Sequence, residues 1–184
     1  MAPQKIMLIR HAEKPTKDGP EWGVDKNGSK DDEELIVRGW QRAGALARLF
    51  SPLDGYAAGS PLALPTKLYA AHPNAKNSSK RSKHTLAPLA TLIGAPICLD
   101  FSIGEEAALA KEILRGDDIV LVAWEHKAIT LIVESLTDGA LRSPHWDDAR
   151  FDMILILDNQ PNWRLMQKPQ MLLAGDIPNL LPKY

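Results

Sequence analysis

The side chains best suited to chemistry sit where short apolar runs end. Arg10-His11 follows directly on Ile6-Met7-Leu8-Ile9, and Glu125-His126 follows the run from Ile119 to Trp124. Ala71-His72 leaves a third run at Lys67 to Ala70, and Arg81 stands at the start of the helical stretch beyond it. In open α/β sheets, ligands collect at the carboxyl ends of the strands, so two histidines and two arginines are expected to share one crevice. Phosphoryl transfer needs such a set: fixed positive charge on the non-bridging oxygens and a nucleophile in line. Arginine supplies a planar fork that grips two oxygens and never loses its charge. A neutral imidazole supplies the nucleophile, and neighbouring guanidinium groups oppose its protonation.

The elements that must position these groups alternate along the chain. Ile6 to Ile9 and Ile119 to Trp124 are unbroken apolar runs, as in strands buried on both faces. Lys67 to Ala70, Pro96 to Leu99 and Phe151 to Leu157 read as further strands, with Trp163 to Gln167 closing a hairpin on the last. Between them, Ile36, Trp40, Ala43, Ala47 and Phe50 fall on one helical stripe that Ser51-Pro52 ends. Asp31 and Glu34 mark a possible start for that helix. Leu86, Leu89, Ala90 and Ile93 mark a second helix, which Pro88 should kink or shorten. Further helices are expected over Glu105 to Leu114 and around Ile129, Ile132, Val133 and Leu136. The pattern predicts one α/β domain over residues 1–184, with a mostly parallel central sheet and helices on both faces. Two segments stand apart: a polar, Gly-containing loop over 14–34 and a Pro-rich tail over 168–184 that could wrap the domain or meet a partner.

At these positions the sequence resembles the histidine phosphatase superfamily, the phosphoglycerate-mutase-like proteins. Ile6 to Glu13 is similar to its signature, and Leu35-Ile36-Val37-Arg38-Gly39-Trp40 to its Gly-centred helix start. Arg81-Ser82-Lys83-His84-Thr85 resembles the motif in which an arginine precedes a threonine by four, and Val120 to His126 the strand leading to a second histidine. The resemblance runs in order from residue 5 to about residue 136. It implies a three-layer phosphoglycerate-mutase-like fold and metal-independent phosphomonoester hydrolysis without a cofactor. It also implies that His11 is phosphorylated in turnover and that Arg10, Arg81 and His126 hold the transferring group. A leaving alkoxide needs a proton, and a carboxylic acid is the usual donor. Glu105 occupies the place where many members carry that acid; Glu106, Glu125 and Glu13 are the other candidates. The chain departs from the pattern at Lys14-Pro15-Thr16-Lys17, where a Thr or Ser and an Asn are usual, and at Lys127, where glycine often follows the second histidine.

The remaining features narrow the field. With 22 basic and 23 acidic side chains the net charge is −1, so neither nucleic acid nor an anionic membrane is an expected partner. No apolar run approaches the roughly 20 residues of a bilayer span, and the amino terminus lacks a signal peptide's apolar core. Cys98 is the sole cysteine, which excludes an internal disulfide. A cytoplasmic location follows as the expectation. There is no zinc-ligand spacing, no Gly-x-Ser-x-Gly and no P-loop. His72 is read as a turn residue, His84 and His145 as surface residues, and Trp40 as core. Trp22 and Trp146 are loop residues able to line a site, and Lys76, Lys80, Arg81, Lys83 and His84 form a local basic cluster. The expected function is hydrolysis of a phosphorylated small metabolite or phosphoprotein. A phosphate-moving mutase and a non-catalytic phospho-ligand-binding protein of the same fold stay open, as do substrate and oligomeric state.

Overall fold

The structure, a computed structural model, describes residues 3, 5–75, 77–159 and 162–182. Lys76 of the basic cluster and part of the turn after residue 159 lie outside them. The strands are β1 (Lys5–Arg10), β2 (Lys67–Ala70), β3 (Ile97–Cys98), β4 (Ile119–Trp124), β5 (Met153–Asn159) and β6 (Trp163–Pro169). The helices are α1 (Val37–Phe50), α2 (Arg81–Ile93), α3 (Glu106–Ile113) and α4 (His126–Leu136). One six-stranded sheet runs in the order β3-β2-β4-β1-β5-β6. The first four strands are mutually parallel, and β5 joins β1 antiparallel before turning back into β6. No helix among the described residues is long and apolar enough to cross a membrane.

Because successive strand residues face opposite ways, each strand feeds two cores. Ile6, Leu8, Val120 and Val122 pack under α3 and α4, whereas Met7, Ile9, Leu121 and Ala123 pack under α1 and α2. This explains the unbroken apolar runs. Ile6 to Ile9 are wholly buried, and each such side chain stabilises the fold by about 1.5–3 kcal/mol. The two hydrophobic cores fix the sheet, and the sheet fixes the chain ends that leave it.

Two expectations change. The first helix begins at Val37, not at Asp31, because the acidic segment folds back as a loop. The Asp31 carboxylate accepts from the Glu33 amide at 2.9 Å and from Lys80 at 2.7 Å, so it serves tertiary contacts rather than a helix start. The second helix is not shortened at Pro88 but continues through it over 13 residues. Its residues Leu86 and Leu89 are anchored in the core on either side of the proline.

Gly39 shows why α1 opens as it does. A Cβ there would sit 2.4 Å from the carbonyl oxygen of Glu13, so only glycine lets this helix press against the chain leaving β1. The Ile36 amide donates to the same carbonyl at 3.2 Å.

Candidate active site

The amide of His11 donates to the carbonyl of Trp124 at 3.0 Å, extending the β1–β4 ladder by one residue past β1. That bond fixes the first histidine against the segment carrying Glu125 and His126. The next amide, of Ala12, donates to Thr85 Oγ1 at 2.8 Å, and Thr85 in turn donates to the carbonyl of Arg81 at 2.8 Å. The spacing of Arg81 and Thr85 thus has a physical meaning: one helical turn ties the arginine to the backbone beside His11.

His11 is buried, and its Nδ1 lies 2.8 Å from the carbonyl oxygen of Ala12. A carbonyl only accepts, so Nδ1 carries the proton and Nε2 keeps its lone pair. Burial, assisted by the charges of Arg10, Arg81 and Lys14, lowers the imidazole pKa to about 3 against an opposing pull from the Ala12 carbonyl. The nucleophile candidate is therefore neutral well into the acid range. Nitrogen-15 NMR of the native protein at about pH 5 should show the His11 ring neutral and protonated at Nδ1, where a free histidine is mostly charged. A doubly protonated ring there would contradict this environment. The linkage sign is destabilising in acid: unfolded histidine takes up a proton near 6.5 and buried His11 does not. Stability from this group is thus intact above that value and falls as pH drops toward 3.

His11 lines a cavity of about 120 Å³ with Lys14, His72, Arg81, Ser82 and Glu125 among its walls. Arg81 is partly buried, and its fork is held by backbone and hydroxyl acceptors, with the Glu33 carboxylate 3.7 Å from Nη2. Nε donates to the Glu34 carbonyl at 3.2 Å, Nη1 to Ser79 Oγ at 3.3 Å and Nη2 to the Asp32 carbonyl at 2.5 Å. Lys14 is partly buried, and desolvation together with Arg81 and Arg10 pulls its pKa below the usual lysine value. Among the described residues it makes no ion pair. Sequence reasoning noted Lys14 only as a departure from the family pattern; its place two residues beyond Ala12 was the available signal.

Arg10 and His126 face a different segment. Arg10 is buried over the ring of Phe151, 3.7 Å from its centroid. Its Nη1 donates to the carbonyls of Asp148 at 2.7 Å and Arg150 at 3.0 Å, with that of Asp147 at 3.4 Å. Its Nε is buried without a hydrogen-bond partner among the described residues. Desolvation lowers its pKa to about 10, which still leaves it charged at neutral pH. His126 is the first residue of α4, its Nε2 in contact with the exposed Asp148 carboxylate. Its Nδ1 is 3.0 Å from Glu125 Oε1, a close approach without hydrogen-bond alignment. It lines a separate depression with Trp146, Asp147 and Asp148.

The four carboxylate candidates separate cleanly. Glu105 accepts from the Ser102 amide at 2.7 Å and lines a different depression, with Asn74 and Ser102. Glu106 is buried and accepts from Trp124 Nε1 at 3.0 Å. Glu13 is gripped by Arg42 at 2.8 Å and Arg38 at 3.2 Å. Glu125 alone of the four lines the His11 cavity. Its partial burial pushes its pKa up, but His126 and the amides of Lys127 and Ala128 outweigh this and hold it below the usual value. Two minor expectations also change. His72 lines the His11 cavity rather than only turning the chain, and His84 is tied to Glu34 at 2.5 Å and stacked on Trp40.

No protein-family model matches the sequence, and no curated protein matches it. Solved structures do. Phosphoserine phosphatase from Entamoeba histolytica, determined with 3-phosphoglyceric acid, superposes with a TM-score of 0.55 at 12% identity, over 92% of this chain and 99% of its own. The putative phosphohistidine phosphatase SixA from Agrobacterium tumefaciens gives 0.48 at 15% identity, over 90% and 97% of the two chains. Mycobacterial hydrolase 1 gives 0.48 at 13%, over 89% and 96%. The chain has a phosphoglycerate-mutase-like α/β fold, shared with the phosphoserine phosphatase from Entamoeba histolytica.

Proposed function

We propose that this protein is a metal-independent phosphomonoesterase working through a phosphohistidine at His11. The observation that carries this is the buried His11 ring, whose Nδ1 is tied to the Ala12 carbonyl while its other nitrogen is left with a lone pair in a cavity walled by Arg81 and Lys14. In the first step Nε2 attacks phosphorus and the bond to the leaving oxygen breaks, that oxygen departing with its electron pair and taking a proton from water. Arg81 and Lys14 neutralise the phosphoryl oxygens, and Arg10, next to His11 in the chain, adds positive charge to its surroundings. His126 Nε2 passes from the Asp148 carboxylate to a phosphoryl oxygen. In the second step water attacks phosphorus, Glu125 takes its proton, and the bond from Nε2 to phosphorus breaks to release inorganic phosphate.

Glu125 replaces Glu105 in this scheme because it lines the cavity. Held ionised, it is better suited to activating water than to protonating a leaving alkoxide, so phosphoesters with good leaving groups should turn over fastest. Small phosphorylated metabolites and phosphoprotein side chains are the substrate classes.

The test is to trap the intermediate. Rapid mixing with phosphorus-32-labelled para-nitrophenyl phosphate in EDTA, followed by an alkaline quench, should give a labelled protein that keeps its label in base and loses it in acid. The label should be absent from His11→Gln. Turnover without such a label, or a label that survives in the variant, would overturn the mechanism.

A further inference from the structure

We propose that Asp148 is a built-in competitor for the phosphate site. Its carboxylate holds His126 Nε2 and yields that donor to a phosphoryl group, so it sets how tightly phosphate binds and how readily it leaves. This deepens the phosphatase reading above and rests on it for His126 as a phosphate ligand. A carboxylate only accepts, and the bond to His126 holds that of Asp148 below the usual carboxyl range, so the proton in their contact is carried by Nε2. A phosphoryl oxygen needs the same proton. The contact also accounts for where His126 lies. It lines the depression with Asp147 and Asp148 and not the His11 cavity, although the His11 amide is bonded to Trp124, the residue before Glu125.

The backbone that carries Asp148 is fixed, and its side chain is not. Arg10 Nη1 holds the carbonyls of Asp148 and Arg150 at 2.7 and 3.0 Å. Trp146 Nε1 donates to the Arg150 carbonyl at 2.8 Å, and Arg150 Nη2 donates to the Asn179 carbonyl at 3.0 Å. The Asp148 side chain, by contrast, is 74% exposed, and its ion pair with exposed Lys127 is long at 3.9 Å. Such an exposed pair adds little. A turn about the side-chain bonds of Asp148 therefore frees His126 while the chain stays where Arg10 holds it. His126 itself is buried at the start of α4, so the donor stays in place when its acceptor changes. Asp147 carries the same charge one residue away, but its carboxylate accepts from the Ala149 amide at 2.7 Å instead. The two carboxylates thus differ in contact and not in charge.

That difference makes the test. Calorimetric affinities of inorganic phosphate are compared for wild type, Asp148→Asn and Asp147→Asn at neutral pH, in about 0.5 M sodium chloride to screen charges that are not in contact. A neutral amide holds an imidazole N–H less strongly than a carboxylate does, so Asp148→Asn should bind phosphate about 10-fold tighter than wild type. Asp147→Asn should stay within about twofold. In nitrogen-15 spectra of wild type, saturating phosphate should move the His126 ring signals as Nε2 changes partner. Equal gains in the two variants would reduce the effect to charge and overturn the competition. No gain in Asp148→Asn, His126 signals unmoved at saturation, or no phosphate binding by any of the three proteins would overturn it as well. A missing phosphoenzyme with the gain in Asp148→Asn intact would instead overturn the hydrolytic mechanism and leave the competition standing.

Discussion

Replacing His11 by glutamine should lower EDTA-resistant hydrolysis of para-nitrophenyl phosphate by at least ~10⁴-fold in kcat, because a covalent mechanism loses its only route when the nucleophile goes. Glutamine is the informative substitution. Its amide can still donate to the Ala12 carbonyl that holds Nδ1, so the chain between β1 and Thr85 keeps its geometry. Circular dichroism and the thermal midpoint at neutral pH should change little, while the rate collapses. Activity within tenfold of wild type would remove His11 from the chemistry. Arg10 is a poorer probe of the same step: its Nη1 holds the carbonyls of Asp148 and Arg150, so removing it loosens that segment as well as the charge.

The second large effect is on stability. Arg42 is 2% exposed and binds Glu13 at 2.8 Å, Asp176 at 2.7 Å and Gln170 at 2.8 Å. Hydrogen bonds from Arg42 and the amides of Leu172 and Leu173 outweigh desolvation and hold the Asp176 pKa at about 2. Arg42→Met leaves buried Glu13 and Asp176 with Arg38 alone, at 3.2 and 3.8 Å, and breaking such a cluster from one side costs about 3–5 kcal/mol. Urea unfolding at neutral pH should show that loss. The pH dependence has a definite sign. Asp176 is depressed in the folded state, so its contribution is full above its ordinary value of 3.8 and is lost as pH falls through about 2. In the variant, protonation relieves the stranded carboxylates instead. The gap between wild type and Arg42→Met should therefore narrow in acid, and a gap that widens would mean the cluster is not the source.

Much of this was legible in the sequence where one physical signal dominated. The short runs at Ile6 to Ile9 and Ile119 to Trp124 read as doubly covered strands, and they are β1 and β4. The antiparallel placement of β5 against β1 was not legible, because a buried run looks the same in either direction. The start of α1 was misplaced because an acidic residue before a helix suits both a cap and a tertiary ion pair, and Asp31 makes the second with Lys80. At the site, His11 and Arg81 follow from their places at the ends of elements. Glu125 was overshadowed by Glu105 because sequence order cannot tell which carboxylate the loops turn toward the cavity. The place of Lys14 on the cavity wall depends on the fold of a polar segment with no periodicity to read.

The Arg42 cluster also bears on when the molecule becomes competent. Glu13, two residues past His11, is joined through Arg42 to Asp176, across a sequence separation of 134 residues for the last link. β1 itself is seated between β4 and β5, whose partners begin more than a hundred residues later. Contacts this remote close slowly, since chain entropy must be lost before they give anything back. On a ribosome the strand bearing His11 appears early and its clamp late. Secondary structure should therefore form well before the segment around Asp176 docks on Arg42.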